Sequence, residues 1–274
     1  MNQDKILLAT DIDGTLLRSD KTISDYTKER IHQMLNLGHY FVIATGRPFH
    51  RIEQIIDDLA IKSNQNFCIC FNGGLIMTTD GSKVIYECLL NDDDVVRLVD
   101  LSSALKISVM VYLKDVILVD QIPDAVSSLN KLNCVKIVDG GKAFLRNQTN
   151  VYKVIYIGSE AEIDLVKTKI PKEVYHQFNV TRSSANYLEI TAKSISKGNG
   201  MIKLAEYLKV DIKNTIAVGD EENDISMIKA ANLGCVVSNG NQELIKIADF
   251  VTKSNDEDGV GLLIDQFVLQ KEEA

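Results

Sequence analysis

The segment that most constrains this chain lies near its amino terminus, where two aspartates follow a continuous apolar run. Residues 6–10 form the run, and Asp11, Asp13 and Gly14 come directly after it. A run of this kind is typical of a strand buried on both faces of an α/β sheet. Such sheets present ligands at the carboxyl ends of their parallel strands, so both carboxylates are expected in a cleft. Two acids this close repel each other and favour a neighbouring cation.

The chain repeats the alternation of strand and helix that builds a parallel sheet, first before residue 71 and again after Gly198. Because βαβ crossovers are right-handed, the strands are expected to run parallel. Besides residues 6–10, the predicted strands are residues 40–44, 67–71, 215–218, 235–237 and 248–252. The predicted helices are residues 24–38, 52–59, 199–208 and 224–231.

The middle of the chain has a different pattern, in which short turns join several strands. Predicted strands are residues 84–86, 107–112, 116–119 and 151–157, with helices near 92–105 and 160–169. Hairpins mixed with helices suggest an α+β unit with an antiparallel sheet. The expected fold class is therefore α/β: a doubly wound, parallel-sheet core with an inserted α+β cap domain. We place the core at residues 1–81 and 191–274 and the cap at 82–190, with polar, glycine-bearing hinges at 78–82 and 191–200.

Composition excludes several classes of function. The net charge is -8 without a cluster of basic residues, which disfavours nucleic acid as a ligand. No apolar run is long enough to cross a bilayer, so no membrane partner is expected. The first five residues lack the basic and apolar segments of a signal peptide, and we expect a cytoplasmic protein. The 5 cysteines are scattered and are interpreted as reduced core residues.

Unusual polar residues follow or open the predicted core elements at four places. They are Asp11 and Asp13; residues 45–47; residues 197–198; and residues 219–224. Each has an alternative interpretation on its own. An Asp-x-Asp-Gly segment also occurs in calcium loops, Thr45, Asp220 and Asp224 could cap helices, and Lys197 could be an exposed lysine. A parallel sheet nevertheless gathers its strand ends at one edge, which brings the whole set together.

As a set, these residues meet the requirements of phosphoryl transfer. A carboxylate attacks phosphorus, and a neighbouring acid protonates the leaving oxygen and later deprotonates water. The phosphate oxygens need a divalent ion, a lysine, a hydroxyl and backbone N–H groups. Asp11, Asp13, Lys197, Thr45 and the turn after Asp13 can supply these groups. Mg²⁺ fits such an all-oxygen site.

In this order and context, the four motifs resemble the haloacid dehalogenase superfamily of aspartate-nucleophile phosphatases. Residues 219–227 and 196–198 resemble especially its Cof-type group, in which an α/β cap is inserted after the third core strand. Residues 237–240 and 255–260 are also similar to that group.

The resemblance implies a role for individual residues. Asp11 is then the nucleophile and Asp13 the general acid/base. The implied phosphate-binding residues are Thr45, Gly46, Lys197 and Asn223. The implied magnesium ligands are Asp11, the carbonyl of Asp13, Asp220 and Asp224. Arg47, Asn72 and Gly73 are candidates to face the leaving group, although a simple tight turn also explains the glycine at 73.

The sequence thus predicts a magnesium-dependent phosphatase of small phosphorylated metabolites, with sugar phosphates as the favoured class. True dehalogenases of the family generally lack the second aspartate, and a halide needs no proton, so Asp13 favours ester cleavage. Two alternatives remain: a phosphomutase-type phosphotransferase, and a regulatory module that binds a phospho-metabolite.

Overall fold

The chain folds into two compact units, of which the second interrupts the sequence of the first. The structure is a computed structural model that describes residues 5–131 and 134–270. The first unit comprises residues 1–87 and 196–274, and the second comprises residues 88–195. The signal-peptide prediction depends on residues 1–4, which lie outside the described residues.

The described parts of the chain contain strands and helices of both kinds of unit. The strands are β1 (Leu7–Thr10), β2 (Tyr40–Ala44), β3 (Phe67–Cys70), β4 (Leu75–Thr78), β5 (Val84–Glu87), β6 (Ser108–Tyr112), β7 (Ile117–Val119), β8 (Val135–Ile137), β9 (Lys153–Ile157), β10 (Phe178–Ser184), β11 (Tyr187–Ala192), β12 (Thr215–Gly219), β13 (Leu233–Val237) and β14 (Phe250–Thr252). The helices are α1 (Asp25–Asn36), α2 (Glu53–Asp58), α3 (Asp92–Ala104), α4 (Gly141–Leu145), α5 (Glu160–Lys169), α6 (Lys172–Gln177), α7 (Lys197–Leu208), α8 (Ile225–Ala230), α9 (Gln242–Ile245) and α10 (Gly259–Ile264).

The first unit is built on an eight-stranded sheet in the order β14-β13-β12-β1-β2-β3-β4-β5. The six strands from β14 to β3 run parallel. Leu7 and Ala9 of β1 pack on one face with Met201 and Leu204 of α7. The residue between them, Leu8, is also fully buried. Because successive side chains of a strand point to opposite faces, both faces of the sheet are covered, as in a doubly wound α/β core. The predicted fold class is confirmed.

Two antiparallel strands extend this sheet beyond β3, and the sequence analysis did not place them there. β4 was missed, and the prediction that residues 84–86 belong to the inserted unit was wrong. β5 pairs with β4, which in turn pairs with β3. The second unit therefore begins at Cys88 rather than at residue 82. It extends to Ile195 rather than to residue 190, because the end of β11 still pairs with β10.

The second unit has a six-stranded sheet in the order β10-β11-β9-β6-β7-β8. All neighbouring pairs are antiparallel except β7 and β8. Residues of α3 and α5, among them Leu98 and Ile163, form one core with Val109 and Tyr156 of the sheet. Ser159 begins α5 with a capping box, in which its side chain and that of Glu162 accept hydrogen bonds from each other's backbone N–H. The unit is mixed α+β.

Two composition-based expectations are tested by the described residues. All 5 cysteines are free thiols: Cys68, Cys70 and Cys235 are buried, whereas Cys88 and Cys134 are only half-buried. The core interpretation therefore fits three of them. Within residues 5–131 and 134–270, no helix is both long and apolar enough to cross a membrane.

Candidate active site

The site is built at the carboxyl ends of three neighbouring parallel strands of the first unit. β1 lies between β12 and β2, with Thr10 opposite both Val218 and Ile43. Asp11 follows β1 directly, and its backbone N–H donates to the carbonyl oxygen of Val218 at 3.0 Å. Thr45 and Asp220 follow β2 and β12 in the same way. The shared register therefore brings three of the predicted segments to one edge of the sheet.

Lys197 is the centre of a buried group of charges that we call the inner cluster: Asp11, Lys197, Asp220 and Asp224. The lysine is 0% exposed, and its Nζ donates to Oδ1 of Asp11 and, at 2.6 Å, to Oδ1 of Asp224. Lysine is almost never fully buried unless it is paired. The interpretation of Lys197 as one more exposed lysine is therefore wrong.

Asp224 holds both the lysine and the loop after β12. Its Oδ2 accepts hydrogen bonds from the backbone N–H groups of Asp220 at 2.9 Å and Glu221 at 3.0 Å. With Oδ1 bound to Lys197, both oxygens are engaged. A Cβ at Gly219 would collide with this carboxylate. A glycine is therefore required where β12 ends.

The turn that follows Asp13 holds the side chain of Asp220 in place. Its Oδ1 accepts a hydrogen bond from Oγ1 of Thr15 at 2.6 Å, and Thr15 is itself fully buried. Gly14 has a φ of +80°, and a Cβ there would collide with the Asp220 carboxylate. The Asp-Gly-Thr sequence thus supplies both the left-handed turn and the hydroxyl donor.

Burial and mutual repulsion shift the ionisation of the cluster. Burial raises the pKa of Asp11 to about 6, although the charge of Lys197 opposes this. Burial likewise raises the pKa of Asp220 to about 7, with further contributions from Asp11 and Asp224. For Lys197, burial alone would lower the pKa, but the two carboxylates outweigh it and raise the pKa above its ordinary value. One buried cation faces three acids.

The carboxylates of Asp11, Asp220 and Asp224 are arranged so that they could hold a metal ion. One oxygen from each lies within 4.8 Å of the others, and all three residues are buried. The donor set consists of oxygens alone, which suits a hard divalent cation such as Mg²⁺. Burial raises the pKa of Asp11 and Asp220, and the repulsion of Asp224 adds to the rise, so a further cation beside these acids would favour their ionised forms.

Asp13 lies outside this group of three acids and pairs with Arg47; we call these two residues the outer pair. Nε of Arg47 lies 2.9 Å from Oδ2 of Asp13, and one terminal nitrogen lies 2.6 Å from each carboxylate oxygen. Nζ of Lys21 lies 3.5 Å from Oδ1. The Asp13 side chain is 46% exposed. The two aspartates of the opening motif therefore have opposite surroundings.

The predicted phosphate-binding residues form a neighbouring loop cluster. Oγ1 of Thr45 accepts a hydrogen bond from the backbone N–H of Arg47 at 3.2 Å, and Thr45 is buried. Nδ2 of Asn223 donates to Oδ1 of Asn72 at 3.2 Å. That oxygen lies 3.1 Å from the position that a Cβ on Gly46 would take. Residues 45–47, 72 and 223 are thus brought together.

Gly73 also has a packing role at this edge. Its φ is +100°, and a Cβ would collide with the carbonyl oxygen of Ser196 at the start of α7. The tight-turn explanation of this glycine fits, and the turn also lets the chain approach α7 closely.

Three polar residues that were not predicted from the sequence support the site. Besides Thr15, they are Asn239 and Asn255. Nδ2 of Asn239 donates to the carbonyl oxygen of Gly14 at 2.8 Å, and its Oδ1 accepts from the backbone N–H of Asn255 at 2.9 Å. Asn255 in turn donates to the carbonyl oxygen of Leu17 at 2.9 Å. Both asparagines lie in residues 237–240 and 255–260, which resemble the Cof-type group. That resemblance was the signal in the sequence that could have identified them.

The whole architecture matches a known family. The model of the haloacid dehalogenase-like hydrolases matches residues 8–264. The chain belongs to this family. The match spans both segments of the core and the unit between them, and it confirms the resemblance carried by the four motifs. The prediction of an enzyme, a hydrolase of this family, is confirmed with it.

Individual relatives agree over nearly their full lengths. A protein of Streptococcus pyogenes is 32% identical over 268 residues, which cover 96% of this chain and 98% of that protein. YitU of Bacillus subtilis is named a 5-amino-6-(5-phospho-D-ribitylamino)uracil phosphatase. It is 28% identical, and the alignment covers 97% of this chain and 99% of YitU.

Solved structures show the same fold. A haloacid dehalogenase-like hydrolase of Bacteroides thetaiotaomicron superposes with a TM-score of 0.84 at 28% identity, over 96% of this chain and 99% of that one. The subclass IIB sugar phosphatase BT4131 superposes with a TM-score of 0.78 at 23% identity, over 96% and 99% of the two chains.

Proposed function

We propose that this chain is a magnesium-dependent phosphatase that hydrolyses small phosphorylated metabolites through a phosphorylated Asp11. The observation that carries the proposal is the inner cluster, in which a fully buried lysine bridges Asp11 and Asp224 beside Asp220. Family membership and a relative named as a phosphatase support the same reaction class.

In the first half of the reaction, a carboxylate oxygen of Asp11 attacks phosphorus, and the bond from phosphorus to the leaving oxygen breaks. Asp13 gives its proton to that oxygen, so the leaving group departs as a neutral alcohol. The Lys197 ammonium, the Thr45 hydroxyl and the amide of Asn223 are proposed to hold the phosphate oxygens. Lys197 also keeps Asp11 oriented, because its contact with Oδ1 is already made in the free protein.

In the second half, Asp13 removes a proton from water, which attacks the phosphorus of the aspartyl phosphate. The bond from phosphorus to Asp11 breaks, and inorganic phosphate leaves. Asp13 is thereby protonated again for the next cycle. The two aspartates thus divide attack and proton transfer between them.

The residues present fit a divalent cation. We propose that Asp11, Asp220 and the carbonyl of Asp13 hold Mg²⁺, with Asp224 completing the acidic group. When bound, the ion would neutralise charge on the phosphate oxygens and on the acids. Asp224 is already bound through both oxygens, so its main contribution is to fix Lys197 and the loop after β12.

For the substrate, we propose phosphorylated sugars or polyols. The name of YitU specifies a phosphate ester of a ribityl group. The present protein aligns with almost the full length of YitU. A panel should therefore contain sugar phosphates, sugar-alcohol phosphates and phosphorylated cofactors. Release of inorganic phosphate indicates a phosphatase, whereas an isomeric phosphate product would assign the protein as a phosphomutase.

The proposal is tested with Asp11→Asn and the matched control Asp20→Asn, which changes an exposed aspartate of the same unit. Hydrolysis of p-nitrophenyl phosphate should require Mg²⁺ and should fall at least about 10³-fold in Asp11→Asn, because the nucleophile is lost. The control should stay within about twofold of the unmodified protein, since surface changes have small effects. Undiminished turnover in Asp11→Asn would refute the mechanism.

A further inference from the structure

We propose that Arg47 is the positioning residue of Asp13: it fixes the orientation of the carboxylate that transfers the proton. The inference rests on the proposed function, because Asp13 must be a proton carrier for its orientation to matter. It gives Arg47 a different role from direct contact with the leaving group.

The contact geometry supports a positioning role. Arg47 uses two of its nitrogens on both oxygens of Asp13, at 2.6–2.9 Å. This arrangement defines the plane of the carboxylate as well as its position, which a single point contact cannot do. Lys21 makes only such a point contact, at 3.5 Å, and its own side chain is 67% exposed.

Arg47 is itself held by the framework of the core sheet. Its backbone N–H donates to Oγ1 of Thr45 at 3.2 Å, and its carbonyl oxygen accepts from the backbone N–H of Phe71 at 3.1 Å. Arg47 is therefore tied to the end of β2 on one side and to the turn after β3 on the other.

The turn that holds Arg47 has an unusual backbone. Phe71 and Asn72 have φ values of +51° and +55°, followed by Gly73 at +100°. A buried aromatic residue rarely adopts a positive φ, and such strain persists only where the surroundings enforce it. The backbone N–H of Asn72 also donates to the carbonyl oxygen of Thr45 at 2.9 Å. The strained turn thus secures the loop from which the guanidinium reaches Asp13.

Asp13 needs an external support of this kind. Its side chain is 46% exposed, so few protein contacts limit its rotation. The next residue is Gly14, whose φ is positive. Proton transfer depends steeply on the approach between the carboxyl group and the leaving oxygen. Asp11 needs no comparable support, because Lys197 fixes it inside the core.

A positioning role predicts a dependence on the leaving group. An alkyl alcohol is a very weak acid, so its oxygen needs the proton of Asp13 in order to leave. p-Nitrophenolate departs readily without that proton. Loss of Arg47 should therefore harm alkyl phosphates much more than p-nitrophenyl phosphate. A residue that only binds substrate would instead raise KM without such a trend.

The experiment measures kcat/KM for a series of aryl and alkyl phosphates, because this ratio reports transfer to Asp11. In Arg47→Ala we expect a loss of about 30-fold or more with the alkyl esters and of less than about fivefold with p-nitrophenyl phosphate. Arg47→Lys should show a weaker form of the same trend. Lys21→Asn, which removes the other cation near Asp13 and suits the left-handed backbone there, should change the series by less than about twofold.

A double variant separates positioning from substrate contact. In an Asp13→Asn background, Arg47→Ala should cost less than about a further twofold, because Arg47 acts through Asp13. Equal losses across the series, or full additivity in the double variant, would overturn the inference. An unmodified protein that hydrolyses none of the esters would instead refute the proposed function.

A second readout needs no catalysis. In the ¹⁵N-labelled full-length protein without Mg²⁺, the Nε–H signal of Arg47 should exchange slowly with water, since it donates to Asp13. The protection should disappear in Asp13→Asn and remain in Lys21→Asn. An unprotected Arg47 signal in the unmodified protein would contradict the pair directly.

Discussion

The inner cluster and the outer pair begin only two residues apart in the sequence, and each binds an aspartate to a basic side chain, yet they differ in burial and in exposure to water. Asp11 is buried against a fully buried lysine, whereas the Asp13 side chain is 46% exposed and bound to an arginine. In the inner cluster, burial and repulsion shift the pKa values of Asp11 and Asp220 upward. Asp11 is thus shielded from water, whereas Asp13 is in contact with it.

The difference suits the two chemical tasks that we propose for these aspartates. A nucleophile and metal ligand must hold one position, and a closed set of hydrogen bonds provides that. A proton carrier must reach both a leaving oxygen and a water, so it benefits from a position that is open to solvent and from a partner that fixes its orientation. We therefore expect changes to the inner cluster to affect stability and activity together, and changes to the outer pair to affect activity almost alone.

The largest effect on stability is expected from Lys197→Met. The change leaves Asp11 and Asp224 buried without their cation, at a cost of about 3–5 kcal/mol. Thermal unfolding without Mg²⁺ should show Tm lowered by roughly 10 °C. The matched control is Lys203→Met on the same helix, where an exposed pair with Glu206 contributes little. Similar Tm values for the two variants would break the contrast between buried and exposed charge.

A smaller effect, of opposite sign, is expected from Asp220→Asn in the protein without Mg²⁺. The pKa of Asp220 is raised to about 7, from 3.8, so its ionised form is disfavoured by folding. The unmodified protein should therefore gain stability as pH falls from 8 towards 5. Asp220→Asn should be more stable by about 2 kcal/mol at pH 8, after allowance for partial solvent screening, and should lose much of this pH dependence.

The measurement is Tm against pH with a chelator present, and Asp20→Asn is its control. Hydrogen bonds from Thr22 lower the pKa of Asp20, so that residue stays ionised between pH 5 and 8 in both states. Identical slopes of Tm against pH for Asp220→Asn and the unmodified protein would mean that ionisation of Asp220 does not oppose folding.

The smallest effect on stability is expected for the outer pair. Asp13→Asn and Arg47→Ala should each change the free energy of unfolding by less than about 1 kcal/mol, because both side chains remain accessible to water. Denaturant unfolding at neutral pH measures this. A loss as large as that in Lys197→Met would show that the two sites do not differ as described.

The sequence predicted individual strands and helices well where one physical signal dominated. Residues 40–44 and 160–169 were predicted as strand and helix with the bounds of β2 and α5. Both signals are local, since one is a continuous apolar run and the other is a capped helix with apolar spacing. The sequence also predicted that Asp11, Lys197, Asp220 and Asp224 lie close together, because a parallel sheet brings distant segments to one edge, and the structure places them in contact.

Other parts depended on contacts that no local pattern contains. β10 carries polar residues such as Asn179, Thr181 and Arg182 in a half-buried strand, so its apolar alternation is weak. β5 has a strand-like composition, but only its pairing with β4 assigns it to the core. The partners of Asp13 and Thr15 are set by side-chain conformation and by residues 34 and 205 positions away. Periodicity gives no information on such pairings.

The close packing of Gly14 and Gly219 against the acids has a thermodynamic consequence for the cation. The carboxylates of Asp220 and Asp224 lie against the main chain, so their repulsion cannot relax by small backbone movements. Folding therefore stores electrostatic free energy, which the proposed divalent ion would release on binding. A substitution that stabilises the ion-free protein by removing one of these charges, without stabilising the ion-bound protein, would weaken ion binding by at least the same free energy. Stability without the ion and affinity for it are thus opposing properties of the same few atoms.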